Sequence, residues 1–254
     1  MNPWLVVAAA ALAVSCAPVE RKARRFQTEC ILGANSDQLQ TLLARWSRTP
    51  VKIALEQGAF TAQEITQIRA GAETWNSFFA ASMGAPGLDY LEEGAVRVSA
   101  TPYQNLTCNP SDSAIQNNVF VRSITLYRRN QWPDGLQNII AATYSCPVVN
   151  RPMNTFIDAT IALNFRDFWG AGRPIPDLQT IVTHELGHLL GLKHSCEDGG
   201  ENGMPNCTNA PPTYRLAVMR PQFGFDAFQG QQVRQLNEND EGRMNCLYKV
   251  VSTR

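Results

Sequence analysis

The residues with the clearest chemical potential lie in His184-Glu185-Leu186-Gly187-His188-Leu189-Leu190-Gly191-Leu192-Lys193-His194. Side chains four apart sit one above the other on a helix, so His184 and His188 can aim two imidazoles at one point. Gly191 supplies a stop, because helices commonly end on a glycine in a conformation other residues reach only at a cost. The chain can then turn and bring His194 back to the same point. Three neutral imidazoles at about 2.0–2.1 Å make an open tetrahedral zinc site with water in the fourth position. Glu185 neighbours a ligand but points elsewhere round the helix. It is therefore placed to meet that water as a general base and later to deliver the proton to a leaving amine. The chain has three histidines and all three fall at ligand positions, which argues against coincidence.

This arrangement is the metzincin pattern, and the chain resembles that group of zinc peptidases. The resemblance implies a second landmark, a tight turn with a methionine beneath the metal. Ala217-Val218-Met219-Arg220-Pro221 fits it, with Met219 25 residues beyond His194. Within the group the segment is most similar to the matrixins. Ser195 follows the third histidine, Pro221 stands two places after the methionine, and Leu236–Gly242 leads into Leu247-Tyr248 as in that family's closing helix. The loop between His194 and Met219 is longer than in typical matrixins, and its cysteine pair resembles pappalysins. No Pro-Arg-Cys-Gly latency motif occurs. Cys30 is read as a structural cysteine in preference to a zinc cap.

The resemblance implies a substrate lying extended in a cleft, paired with an edge strand, and it places the upper rim near Thr155–Asn164. It places the pocket for the residue after the cut between the active-site helix and Pro221–Phe225. Matrixins also carry structural calcium. Glu197-Asp198-Gly199-Gly200-Glu201-Asn202 offers oxygen ligands for Ca2+, with an acidic surface loop as the default reading.

Those residues need elements to hold them. Val51–Leu55 alternates as a strand. Thr61-Ala62-Gln63-Glu64 is a capping box opening a helix to about Ala80, with Ile65, Ile68, Ala72, Trp75 and Phe79 on one face. A short helix is expected over 37–47, and strands over 95–100, 119–127 and 155–164. Asp177 caps a helix to Leu190, and a last helix starts at Asn237 and runs to about Tyr248. The expected fold is α+β: a twisted mixed sheet, a long backing helix, an active-site helix, a methionine turn and a C-terminal helix. The divisions are a leader over 1–16, a linker or N-terminal extension over 17–48 and a catalytic domain over 49–254.

Composition sets the setting. Lys+Arg and Asp+Glu balance at 22 each, so no long-range field invites nucleic acid, and none is expected as a partner. A monomer acting on protein or peptide is expected. Met1–Ser15 is an apolar run of signal-peptide length without the usual basic residue at its start. It resembles a bacterial lipobox with Cys16 as the lipidated residue, although Ala13 stands where Leu is preferred. Plain secretion with cleavage near Cys16 or Ala17 is the alternative. Six further cysteines suit an exported chain. The expected pairs are Cys196–Cys207, Cys108–Cys146 and Cys30–Cys246. The rival functional reading is a non-catalytic zinc-binding surface or adhesion protein that keeps the site, and a hydrolase of cell-wall amides is a further alternative within enzymes. Glu185 argues against the first, since a purely structural zinc site needs no base.

Overall fold

A computed structural model describes residues 25–33, 36–91, 124–148, 154–200, 203–226 and 229–249. The expected leader with Cys16, the strand at 95–100, the first residues of the strand at 119–127, Cys108, Glu201 and Asn202 lie outside them.

Among the described residues five strands form one mixed sheet: β1 Val51–Leu55, β2 Leu88–Leu91, β3 Ile124–Arg129, β4 Ala141–Val148 and β5 Thr155–Asn164, in the order β2-β1-β3-β5-β4. The first four in that order run parallel, and β4 pairs antiparallel with β5. β5 is an interior strand, buried along most of its length. The rim position expected for it belongs to β4, which borders the cleft and ends the sheet among the described residues. β4 has no hydrophobic alternation, and Pro147 sits at a register shift against β5. Proline lacks a ladder donor and is tolerated at edges and bulges.

Helix α1, Ala62–Met83, begins in the expected capping box, with Thr61 and Glu64 bonding each other's backbone, and stops at Gly84 with φ +77°. Ile68, Ala72, Trp75, Phe78 and Phe79 are buried in the core. Helix α2, Leu178–Leu189, lies against α1. Gly71 permits that approach, since a Cβ there would already lie 3.1 Å from Val182. The Trp75 indole donates to Thr183 O at 2.8 Å and ties the pair together. A one-turn helix α3, Pro212–Arg215, a short hairpin β6–β7 (Phe225–Asp226, Gln229–Gly230) and helix α4, Glu238–Tyr248, are the remaining elements among the described residues.

The segment before β1 is packed against the rest. Asp37–Thr41 is a 3-10 turn, shorter than the expected helix, and the following residues are extended because they bond neighbouring segments: Leu43 N to Gly191 O and Arg45 N to Asn154 O. Further upstream, a strap crosses α4. Cys30 is disulfide-bonded to Cys246, Gln27 N donates to Glu241 at 2.7 Å, and Asn245 donates to Gln27 O at 2.8 Å. Cys30 is thus committed to this bond as expected. Cys196–Cys207 is also formed; Cys146 is disulfide-bonded, and its expected partner lies outside the described residues.

Candidate metal centre and cleft

Helix α2 is built to deliver two imidazoles. Asp177 caps its start, accepting from Thr180 N at 2.9 Å, and Arg234 closes on the same carboxylate. At its end Gly191 has φ +113°, Gly191 N bonds His188 O and Leu192 N bonds Gly187 O, both at 3.0 Å, which is the Schellman termination. Two remaining carbonyls are satisfied by Trp46, to Leu189 O, and by the Tyr248 hydroxyl, to Leu190 O. No side chain fits at the turn: a Cβ on Gly191 would lie 1.8 Å from Ala44 O. Beyond it Lys193 N bonds Thr41 O and Ser195 N bonds Met219 O, which fixes the stretch carrying His194.

The turn brings the three histidines together. Their ring centroids are 4.6, 4.9 and 5.3 Å apart, and their candidate ligand atoms lie within 4.8 Å of one another. Every Nδ1 is already engaged: His184 with Val218 O at 2.7 Å, His188 with Leu192 O at 2.7 Å and His194 with Glu197 Oε1 at 3.0 Å. An Nδ1–H bonded outward leaves the Nε2 lone pairs to converge. Burial, with the neighbouring imidazoles, holds His184 well below the ordinary histidine range and His188 at about 3, and burial with Arg243 holds His194 at about 4. The rings are therefore neutral at neutral pH, the form a metal takes. This donor set fits zinc, whose sites accept three imidazoles and an open position.

Glu185 is buried beside the ligands and points toward β4. There the Thr143 hydroxyl donates to Glu185 Oε2 at 2.7 Å, with the Glu185 carbonyl oxygen also within reach at 3.1 Å. Burial pushes the carboxyl up to about 7 against that hydrogen bond. A dication nearby would draw it back toward the charged form. Nothing in the sequence marks Thr143, because β4 itself carries no readable pattern.

Met219 packs under the helix. A Cβ on Gly187, between the two helical histidines, would lie 2.2 Å from its sulfur. The turn is held from behind by Asp240, which accepts from Val218 N at 2.9 Å and Met219 N at 3.2 Å while also serving the α4 capping box. Buried Arg243 bonds Asn239 and Lys193 O and lies 3.6 Å from Asp240. From the sequence Asp240 reads only as a first-turn carboxylate; its grip on a turn 21 residues away has no local signature.

In front of the histidines opens a cleft of about 800 Å³. The β4 edge at Ala141–Thr143 forms one side; Ile181 of α2 with Pro221, Phe223 and Phe225 forms another. Phe223 stands edge-on to His184, its centroid 5.2 Å away. Of the acidic loop suggested for calcium, Glu197 bonds His194 and Asp198 accepts from Gln222, so both described carboxylates already have partners. Among the described residues the histidine triad is the one cluster suited to a metal.

No protein-family model and no curated protein matches the chain. Among solved structures it is similar to high choriolytic enzyme 1, a hatching-enzyme zinc protease from the medaka Oryzias latipes. The two are 14% identical, the match covers 81% of this chain and 94% of that one, and the TM-score is 0.39. At that score the likeness adds nothing to a functional argument, which rests on the residues themselves.

Proposed function

We propose that the chain is a zinc endopeptidase of the metzincin kind, cutting extended polypeptides in the cleft between β4 and Pro221–Phe225. One observation carries the reading: three neutral imidazoles converge with every Nδ1 tied back, and a buried carboxylate stands beside them at the cleft. His184, His188 and His194 would hold the ion. Zinc bound there supplies a Lewis acid that polarises water and a carbonyl oxygen. Glu185 takes a proton from the attacking water and returns it to the leaving amine. Thr143 keeps that carboxylate aimed and shares its negative charge. An extended peptide laid along β4, which ends the sheet among the described residues, would gain from backbone pairing and be selected through side-chain pockets.

Pro221 after the methionine and Ser195 after the third histidine favour the matrixin branch. The disulfides are compatible with an oxidising compartment, and export with anchoring through Cys16 extends the same proposal.

The test is zinc content per chain together with cleavage of a quenched peptide mixture, with and without chelator. One zinc and chelator-sensitive internal cleavage are expected, and Glu185→Ala should abolish cleavage while zinc stays bound. A folded chain that binds no zinc would sink the proposal. One that binds zinc but cuts nothing would favour the non-catalytic reading.

A further inference from the structure

Two of the three histidines are oriented by backbone carbonyls, from the methionine turn held by Asp240 and from the hydrogen-bonded Gly191 turn. His194 differs. It lies beyond the helix, and its Nδ1 meets a side chain, the Glu197 carboxylate at 3.0 Å. Taking the zinc reading as its premise, we propose that Glu197 is a positioning residue for the metal: it sets the ring of the third ligand and strengthens that ligand with its charge.

The surroundings of Glu197 explain how a loop residue can hold such a place. Its N–H donates to Pro205 O at 2.8 Å, and its carbonyl accepts from Cys207 N at 3.1 Å and Gly200 N at 3.2 Å. The preceding residue is the buried Cys196, joined to Cys207 across a separation of 11 residues. The backbone is thus fixed on both sides by a small covalent ring, and only the side chain's own rotations remain to be frozen. The long excursion between His194 and Met219 then has a purpose within the site: its first turn carries the partner of the third ligand.

A half-exposed acid–histidine pair is by itself worth little to stability. Glu197 is 39% exposed and His194 28%, so the contact would contribute little to the fold alone. Its effect falls on the other ring nitrogen. A carboxylate on Nδ1–H fixes the tautomer, locks the ring plane and makes Nε2 a better donor, and loss of such a partner typically weakens metal binding about 10–100-fold. Glu197 also lines the cleft, so the competing role is direct contact with substrate.

The experiment compares the full-length protein with Glu197→Ala and Glu197→Gln. Zinc affinity is measured by competition with a chromophoric chelator, and the melting temperature of each zinc-free protein is recorded. Glu197→Ala should raise the zinc Kd about 10–100-fold with the zinc-free melting temperature unchanged. Glu197→Gln should fall between, because its amide oxygen still accepts from Nδ1–H but carries no charge. A wild type that binds zinc and an alanine variant within twofold of it would overturn the inference and leave the peptidase reading standing. So would a loss of affinity matched by a fall in zinc-free melting temperature, or a defect confined to peptide KM. A wild type that binds no zinc would remove both.

Discussion

Replacing Gly187 by alanine sets two opposing effects against each other. Gly187 lies in the middle of α2, and in a helix interior alanine is favoured over glycine by about 0.8–1.0 kcal/mol. On that ground alone Gly187→Ala stabilises. The new Cβ, however, would stand 2.2 Å from the Met219 sulfur and 3.0 Å from Trp75 Cζ2, where ordinary contact needs 3.4 Å or more. Met219 and Trp75 are both fully buried, so neither can swing into solvent. Overpacking of this kind costs about 1–3 kcal/mol. The expected balance is a net loss of up to roughly 2 kcal/mol, with the methionine turn pushed from beneath the ligands. Met219→Ala should itself cost about 2–5 kcal/mol through the cavity it leaves. In that background Gly187→Ala should become close to neutral or better, since the sulfur is gone and only the 3.0 Å approach to Trp75 still opposes a propensity gain of about 1 kcal/mol. Denaturant unfolding of the four zinc-free proteins closes the cycle, and a coupling on the order of 2 kcal/mol is expected. A Gly187→Ala protein more stable than wild type, or two sites that simply add, would refute the account of glycine as a notch for the methionine.

Three further outcomes follow from the site. Thr143→Val should lower kcat by about 10-fold or more with zinc affinity intact, and Thr143→Ser should recover most of it, because only the hydroxyl's aim at Glu185 is at stake; equal loss in both would point to packing. Gly191→Ala combines a φ of +113° with a backbone clash, so zinc-free stability should fall by more than about 2 kcal/mol and zinc binding should weaken with it, as unfolding and metal titrations would show. Burial raises the Asp177 carboxyl, but Arg234 and the Thr180 bonds outweigh it and the net shift is downward. A depressed folded pKa means that the stability is fully present above the unfolded carboxylate value, near 3.9, and is lost as pH falls through the folded one. The melting temperature of Asp177→Asn should therefore lie below wild type at neutral pH, and the gap should close in acid; a gap that widens toward pH 3 would contradict this.

Much of the site is legible in the sequence because its logic is local. Histidine spacing, the glycine stop and the caps at Thr61 and Asp177 are each short-range devices; α2 and α4 follow to within a residue, and α1 runs three residues past its expected end to Met83. β1 and β5 are legible as well, through alternation. What escapes is what tertiary neighbours decide. β4 is a strand because β5 offers it a partner, although its own residues alternate poorly and include Pro147. β2 is four residues long, too short for any period to show. Thr143, Glu197 and Asp240 gain their roles from residues 42, 3 and 21–22 positions away, and only the second lies near enough to have been guessed. The rim that the family resemblance implies at Thr155–Asn164 falls instead on β4, because alternation identifies β5 as a strand but carries no information on its seat in the sheet.

The bond between Cys30 and Cys246 makes nearly the whole domain a closed covalent circuit, since the two cysteines are 216 residues apart. Closing so long a loop disfavours the unfolded chain by about 5 kcal/mol on the chain-entropy account. It also alters what a cut means. On the proposed peptidase reading the protein is exposed to its own kind, and its surface loops are the natural targets. A single break inside the circuit opens a ring and releases no fragment; both halves remain joined at α4, where the strap is also hydrogen-bonded. The molecule can thus be nicked and still hold its three ligands in one piece, until a reductant opens the clasp.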